Sequence, residues 1–100
     1  MEVEFATQQL KERFQYEAKA RRAWGETVAR RYIQRVQILQ AAGTVGELYQ
    51  IPPLRFHALM GERQGQHALT LTERWRLILT VRDEAGTKVR VEEVSKHYGD

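Results

Sequence analysis

The 100-residue chain contains no cysteine, which removes disulfide frameworks, thiolate zinc sites and cysteine nucleophiles together and suits a reducing compartment. Proline is confined to the adjacent pair Pro52 and Pro53, and seven glycines are too few for a collagen-like or low-complexity chain. No apolar run approaches the roughly 20 residues needed to cross a bilayer. Met1 to Phe5 alternates acidic and apolar residues and has neither the basic nor the apolar region of a secretion signal. The three histidines, His57, His67 and His97, lack the tight spacing with each other or with acids that a metal site requires. A glycine-rich phosphate loop, a nucleophile elbow and internal repeats are all missing. These absences lead to the expectation of one cytoplasmic domain over residues 1–100, with no metal, no small-molecule cofactor and no membrane partner.

What is present is an ordinary globular composition, 42% hydrophobic and 29% charged, so a packed core is expected. The net charge is only +3, and its distribution says more than its size. Between Lys11 and Arg35 stand eight basic residues against three acidic ones. Such a concentration fits a polyanionic partner or, more plainly, exposed helices kept soluble by charge.

Periodicity divides the chain. Met1, Val3 and Phe5 mark one face of a short strand. From Thr7, Leu10, Phe14 and Ala18 recur every four residues, the stripe of an amphipathic helix that Trp24-Gly25 interrupts. Thr27 is the expected cap of a second helix, with Val28, Tyr32, Ile33, Val36 and Leu39 inward and a stop near Gly43. The arginines of this helical hairpin are expected to face away from its packed stripe. Thr44 to Pro53 reads as a connection with one helical turn near Glu47 to Gln50, and Pro52-Pro53 as irregular. Alternation then predicts strands at Leu54–Met60, Gln66–Thr72, Trp75–Arg82 and Lys88–Val94.

The same alternation assigns the sheet's two faces. Leu54, Phe56, Ala58, Leu69, Leu71, Leu77, Leu79, Val81, Val89 and Val91 form the dry side that the helices cover. Arg55, His57, Thr70, Arg76, Thr80, Arg82, Arg90 and Glu92 form a wet, basic side. The expected class is α+β, an N-terminal strand and helical hairpin packed on one face of a mainly antiparallel sheet. Arginine matches phosphate with a bidentate fork, and histidine exchanges protons near neutrality, its ordinary pKa being about 6.5. Together they supply what metal-free cleavage of an RNA phosphodiester needs: a base for the ribose 2′-OH, cations for the phosphorane and an acid for the leaving oxygen. His67 shares its face with Leu69 and Leu71 and reads as structural. The Arg21-Arg22 and Arg30-Arg31 pairs read as exposed helix charge, Trp24 and Trp75 as closing the core edges, and Glu92 and Glu93 as solubility charges.

The stretch L-R-F-H-A-L-M-G-E-R-Q-G-Q-H from Leu54, the segment T-E-R-W-R-L-I-L and the ending V-E-E-V-S-K-H-Y-G-D resemble the RelE/ParE superfamily of bacterial toxins, and look closest to its HigB, or plasmid killer-protein, branch. The resemblance spans nearly the whole chain and is most specific over Arg55 to Arg76 and Val94 to Tyr98. It implies a RelE-like fold and a ribosome-dependent mRNA endonuclease. The implied partners are the ribosome, messenger RNA and a cognate antitoxin, a small helix-turn-helix protein. It also implies His57, Arg76 and His97 as catalytic residues, with Arg76 on the phosphate and transition-state charge, His97 in acid/base work and His57 in positioning or proton transfer. Arg55, Arg63, Arg90, Lys96 and Tyr98 are the implied RNA contacts. Three positions depart from the family pattern: Met60 stands where the pattern has lysine, His67 where it has tryptophan, and Ser95-Lys96 where an acidic-aromatic pair precedes the final histidine. Two further readings accompany these departures, a catalytically silent binding partner of an antitoxin and a ParE-type topoisomerase inhibitor.

Overall fold

A computed structural model describes residues 1–96. Five strands, β1 (Glu2–Phe5), β2 (His57–Ala58), β3 (Gln66–Thr70), β4 (Trp75–Val81) and β5 (Lys88–Lys96), form one sheet in the order β1-β5-β4-β3-β2. β1 runs parallel to β5, and the other pairs are antiparallel, so the sheet is mixed with one parallel edge. Helices α1 (Gln8–Gln15), α2 (Glu17–Trp24) and α3 (Glu26–Ala41), with the single turn α4 (Val45–Leu48), cover one face. Leu10, Val28, Tyr32, Val36 and Leu39 from the helices meet Leu69, Leu71, Leu77, Leu79, Val89 and Val91 from the strands in one buried cluster. That is the dry side the alternation predicts.

The helical layer differs from a simple hairpin. Thr7 caps α1 by accepting the Leu10 N–H on its hydroxyl at 3.1 Å. The helix then stops at Tyr16, whose backbone is extended (φ −125°, ψ 101°), and α2 begins at once. The break rephases the stripe, leaving Ala18 exposed and seating Ala20 fully in the core. Neither glycine nor proline marks this break, so helical spacing alone carries the pattern straight through it. The reversal between α2 and α3 falls on Gly25 (φ 83°, ψ 169°), a conformation that side chains do not tolerate. Thr27 therefore lies inside α3 and does not cap it. Arg35 is also not on the outer side: it is 7% exposed, and its Nε–H donates to the Thr70 carbonyl at 3.0 Å. Arg31 reaches the neighbouring Leu71 carbonyl at 3.4 Å, so α3 grips the end of β3 with two guanidinium groups.

Two corrections concern the start of the sheet. Pro52–Leu54 is a turn of 3-10 helix, which proline favours at its first position because no N–H is needed there. The strand expected over Leu54–Met60 shrinks to His57–Ala58, because Arg55 takes the left-handed region (φ 48°) and Gly61–Arg63 forms a second 3-10 turn. Leu54 and Phe56 are buried as expected, but Ala58 is exposed.

The β4–β5 turn closes on Gly86, with φ 70°, where a Cβ would stand 2.9 Å from Val45 Cγ2. Gly86→Ala combines left-handed strain with that clash, and a loss of about 2 kcal/mol is expected. Urea unfolding monitored by circular dichroism measures it, and an unchanged midpoint would contradict this account of the turn.

Candidate active site

The face away from the helices carries the chemistry. The left-handed corner at Arg55 turns its carbonyl back onto His57, whose Nδ1 lies 2.7 Å from that oxygen. A carbonyl only accepts, so in the neutral ring Nδ1 carries the proton and Nε2 keeps its lone pair. His57 stands opposite Ala68 on β3, and Thr70 on the same strand stands opposite Arg76 on β4.

His57 and Arg76 both line two open clefts. The larger, about 580 Å³, is bounded also by Pro53, Arg55, Thr70, Thr72, Glu73 and Trp75. The smaller, about 410 Å³, is bounded also by Ala58, Leu59, Met60 and Arg63. Arg76 Nε is buried and has no hydrogen-bond partner among the described residues. Among the described residues, no group of three or more His, Cys, Asp or Glu side chains could hold a metal ion.

The other sequence-predicted residues divide. Arg55 lines the larger cleft and Arg63 the smaller. Lys96 places its Nζ 5.9 Å from the centre of the Trp75 ring, at the edge of the larger cleft. Arg90 lies outside the cluster: it stands opposite Thr80, four residues along β4 from Arg76 and hence about 13 Å away. Its Nε donates to Glu92 at 2.7 Å. His97 and Tyr98 lie outside the described residues.

Strand alternation places Glu92 on the outer face but not Glu93 beside it. The ladder passes from Ile78 opposite Glu93 to Leu79 opposite Val91, so Glu92 is an extra residue in a β-bulge and both acids face outward. Glu93 accepts from Arg63 at 2.9 Å, and Arg63 also donates to Gln66 at 3.1 Å. This bridge runs from β3 to β5 across β4, where Ile78 is fully buried although it faces away from the helices. Glu92 accepts from Thr80 at 2.5 Å as well as from Arg90. Burial opposes its ionisation, but those two hydrogen bonds outweigh it and hold the carboxyl below the ordinary range. The signal was legible: valine, two acids, valine cannot alternate without a bulge.

His67 sits where the alternation puts it, half-buried opposite Leu79 and stacked on Phe56 with ring centres 5.0 Å apart. Burial first, and then the nearby His57, lower its pKa. The unfolded chain therefore binds the proton more readily than the folded one, so acidification from the ordinary imidazole pKa downward destabilises the fold. His67→Phe is expected to lessen the fall in urea midpoint between about pH 7.5 and pH 5.5, and an unchanged fall would count against the assignment. His67→Ala is expected to lower stability at both pH values by emptying the stack on Phe56. A second expectation concerns Glu93, which occupies Arg63 as a phosphate oxygen would. Glu93→Gln should tighten binding of a short single-stranded RNA by roughly two- to fivefold, matching the modest strength of an exposed pair. Unchanged affinity in a fluorescence-anisotropy titration would place Arg63 outside the binding surface.

Neither a protein-family model nor a curated protein matches this sequence. Solved structures do match it. A YoeB/ParE toxin from Agrobacterium tumefaciens aligns over 98% of this chain and all of its own, with 13% identity and a TM-score of 0.58. YafQ from the E. coli strain BL21(DE3) aligns over 95% of this chain and 91% of its own, with 14% identity and a TM-score of 0.61. The YoeB–YefM complex from Staphylococcus aureus aligns over 98% of each chain, with 13% identity and a TM-score of 0.62. At these identities the likeness is one of architecture, and the chain has the fold of the RelE-like toxins.

Proposed function

We propose that this chain is the toxin of a type II toxin–antitoxin pair, acting in the cytoplasm as a metal-independent endonuclease on messenger RNA in the ribosome. The observation that carries the reading is that His57 and Arg76 line the same two clefts. The imidazole has its Nδ1 tied to the Arg55 carbonyl, which leaves Nε2 of the neutral ring to accept, and the guanidinium supplies the positive charge. His57 Nε2 takes the proton from the ribose 2′-OH as that oxygen attacks phosphorus. Arg76 stabilises the charge that develops on the phosphorane oxygens. The bond to the 5′ oxygen then breaks, and an acid returns a proton to it. The sequence resemblance assigns that acid to His97. The products are a 2′,3′-cyclic phosphate and a free 5′-OH. The HigB-like motifs around Arg55, Arg63 and Trp75-Arg76 support the same branch of the superfamily. The matching YoeB–YefM structure supports a search for an antitoxin, expected to be a small helix-turn-helix protein encoded beside this one.

A silent antitoxin-binding member is the second reading, favoured by one specific observation. Met60 stands 87% exposed beside the site where the family pattern has lysine, while Glu93 and Glu92 neutralise Arg63 and Arg90. Two experiments separate the readings. Expression of the chain alone should arrest growth of a bacterial host, and co-expression of the neighbouring gene should relieve it. In single-turnover cleavage of ribosome-bound message, Arg76→Ala should lose about a hundredfold or more and His97→Ala on the order of 10²–10⁴-fold. Met60→Lys should cleave faster than the parent. Undiminished cleavage by both alanine variants would overturn the site assignment, and no cleavage by any variant, Met60→Lys included, would leave the silent reading.

A further inference from the structure

Among the described residues, Arg55 alone combines a side chain with a positive φ, at φ 48° and ψ 43°. That conformation costs any L-residue and persists only where the surroundings impose it. Here they do. The 3-10 turn Pro52–Leu54 delivers the Arg55 N–H to the Pro52 carbonyl at 3.1 Å. Leu54 and Phe56, on either side of Arg55, are buried. Phe56 is further held between Tyr49 and His67, with ring centres 4.9 and 5.0 Å away. The guanidinium of Arg55 forms no hydrogen bond or ion pair with a described residue, so the flanking residues hold the corner and its own side chain does not. The consequence falls on His57. In an extended strand the Arg55 carbonyl would point sideways across the sheet. At the corner it lies 2.7 Å from His57 Nδ1, and this is the ring's one hydrogen bond among the described residues.

We propose that Arg55 is a positioning residue acting through its backbone, its left-handed corner fixing the tautomer in which His57 Nε2 can accept a proton. The consequence for catalysis rests on the ribonuclease reading, whereas the corner and the tautomer do not. A free neutral imidazole favours the opposite tautomer, with its proton on Nε2. In that form Nε2 donates, and a donor cannot take the proton of a 2′-OH. A histidine base held in the wrong tautomer can lose up to about 10⁴-fold in rate. The role of the backbone is separable from that of the guanidinium. Glycine enters the left-handed region freely, alanine less so, and β-branched valine hardly at all. Arg55→Gly and Arg55→Val both remove the charge, so the difference between them reports the corner.

The test is two-bond proton–nitrogen magnetic resonance of the histidine rings, recorded well above the ordinary imidazole pKa so that neutral rings are seen. His57 signals are assigned by their loss in His57→Gln. The parent chain and Arg55→Gly should show His57 protonated on Nδ1, and Arg55→Val should show it mainly on Nε2. The His67 ring signals report whether the stack on Phe56 survives each substitution. Should Arg55→Val disturb that stack, the milder Arg55→Ala should still give an intermediate tautomer ratio. In single-turnover cleavage of ribosome-bound message, Arg55→Val should be slower than Arg55→Gly by about tenfold or more. An Nε2-protonated ring in the parent, or an Nδ1-protonated ring that survives both Arg55→Ala and Arg55→Val, would overturn the proposal. Loss of the Nδ1 proton in Arg55→Gly would overturn it too, by assigning the effect to the guanidinium. Equal cleavage by the glycine and valine variants would remove the corner from catalysis. The expected ring signals without cleavage by the parent would uphold the corner and count against the ribonuclease reading alone.

Discussion

The outer face depends on where two consecutive acids can go. In a regular strand, Glu92 and Glu93 would point to opposite sides of the sheet, and one carboxylate would enter the cluster of Val89, Val91, Leu77 and Leu79. An unpaired charge there would cost far more than a distorted ladder. The bulge between Ile78 and Leu79 resolves the conflict, sending both acids outward and returning Val94 to the inner side. The contacts of β5 on the far side of the sheet follow from that slip of one residue. Glu93 comes within reach of Arg63, Glu92 within reach of Thr80 and Arg90, and Ser95 comes to stand opposite Arg76.

The wet face is basic but partly neutralised. Arg63 and Arg90 each hold a carboxylate, whereas Arg55, Arg76 and Arg82 form no ion pair among the described residues. Positive charge therefore remains at both ends of β4. Recognition by such a surface owes less to a broad field and more to a few fixed donors, because long-range attraction scales with net charge and is screened by salt. The helical layer contributes to that fixity. Arg35 is buried with only neutral acceptors, Thr70 carbonyl and Gln34 amide oxygen, so its charge stays uncompensated directly behind the strand that faces Arg76. Desolvation lowers its pKa, though nowhere near enough to neutralise a guanidinium.

Alternation of residue types carried most of the sheet. β3, β4 and β5 lie where the periodicity places them to within a few residues, and their inner and outer faces are the predicted ones because burying one face admits only one parity. The errors share a cause: they fall where backbone conformation is set by something other than side-chain polarity. Arg55 takes a left-handed corner that nothing in an arginine announces, and it cuts the expected strand to two residues. Tyr16 breaks a helix without a breaker residue. Arg35 was read as outward because charge ordinarily is, but a long side chain can bring its head to a backbone carbonyl from inside. In the site, residue type and strand parity put His57 and Arg76 on the outer face, whereas Arg63 was named only by the family resemblance. The shape of the clefts depends on how two turns curve around those residues, and no spacing rule encodes that.

The parallel pairing of β1 with β5 sets Glu2 beside Lys88 and Phe5 beside Val91. Nearly the whole chain separates these partners, and closing so long a loop precedes any gain from the contacts it brings. During synthesis, the first strand must wait without its neighbour until residues 88–91 have left the ribosome. The strand they belong to also carries the acids that order the outer face. The β1 edge, and the surface ordered by β5, therefore form only after residues 88–91 have emerged. For a molecule proposed to act on ribosomes, topology itself delays activity until β5 has been made.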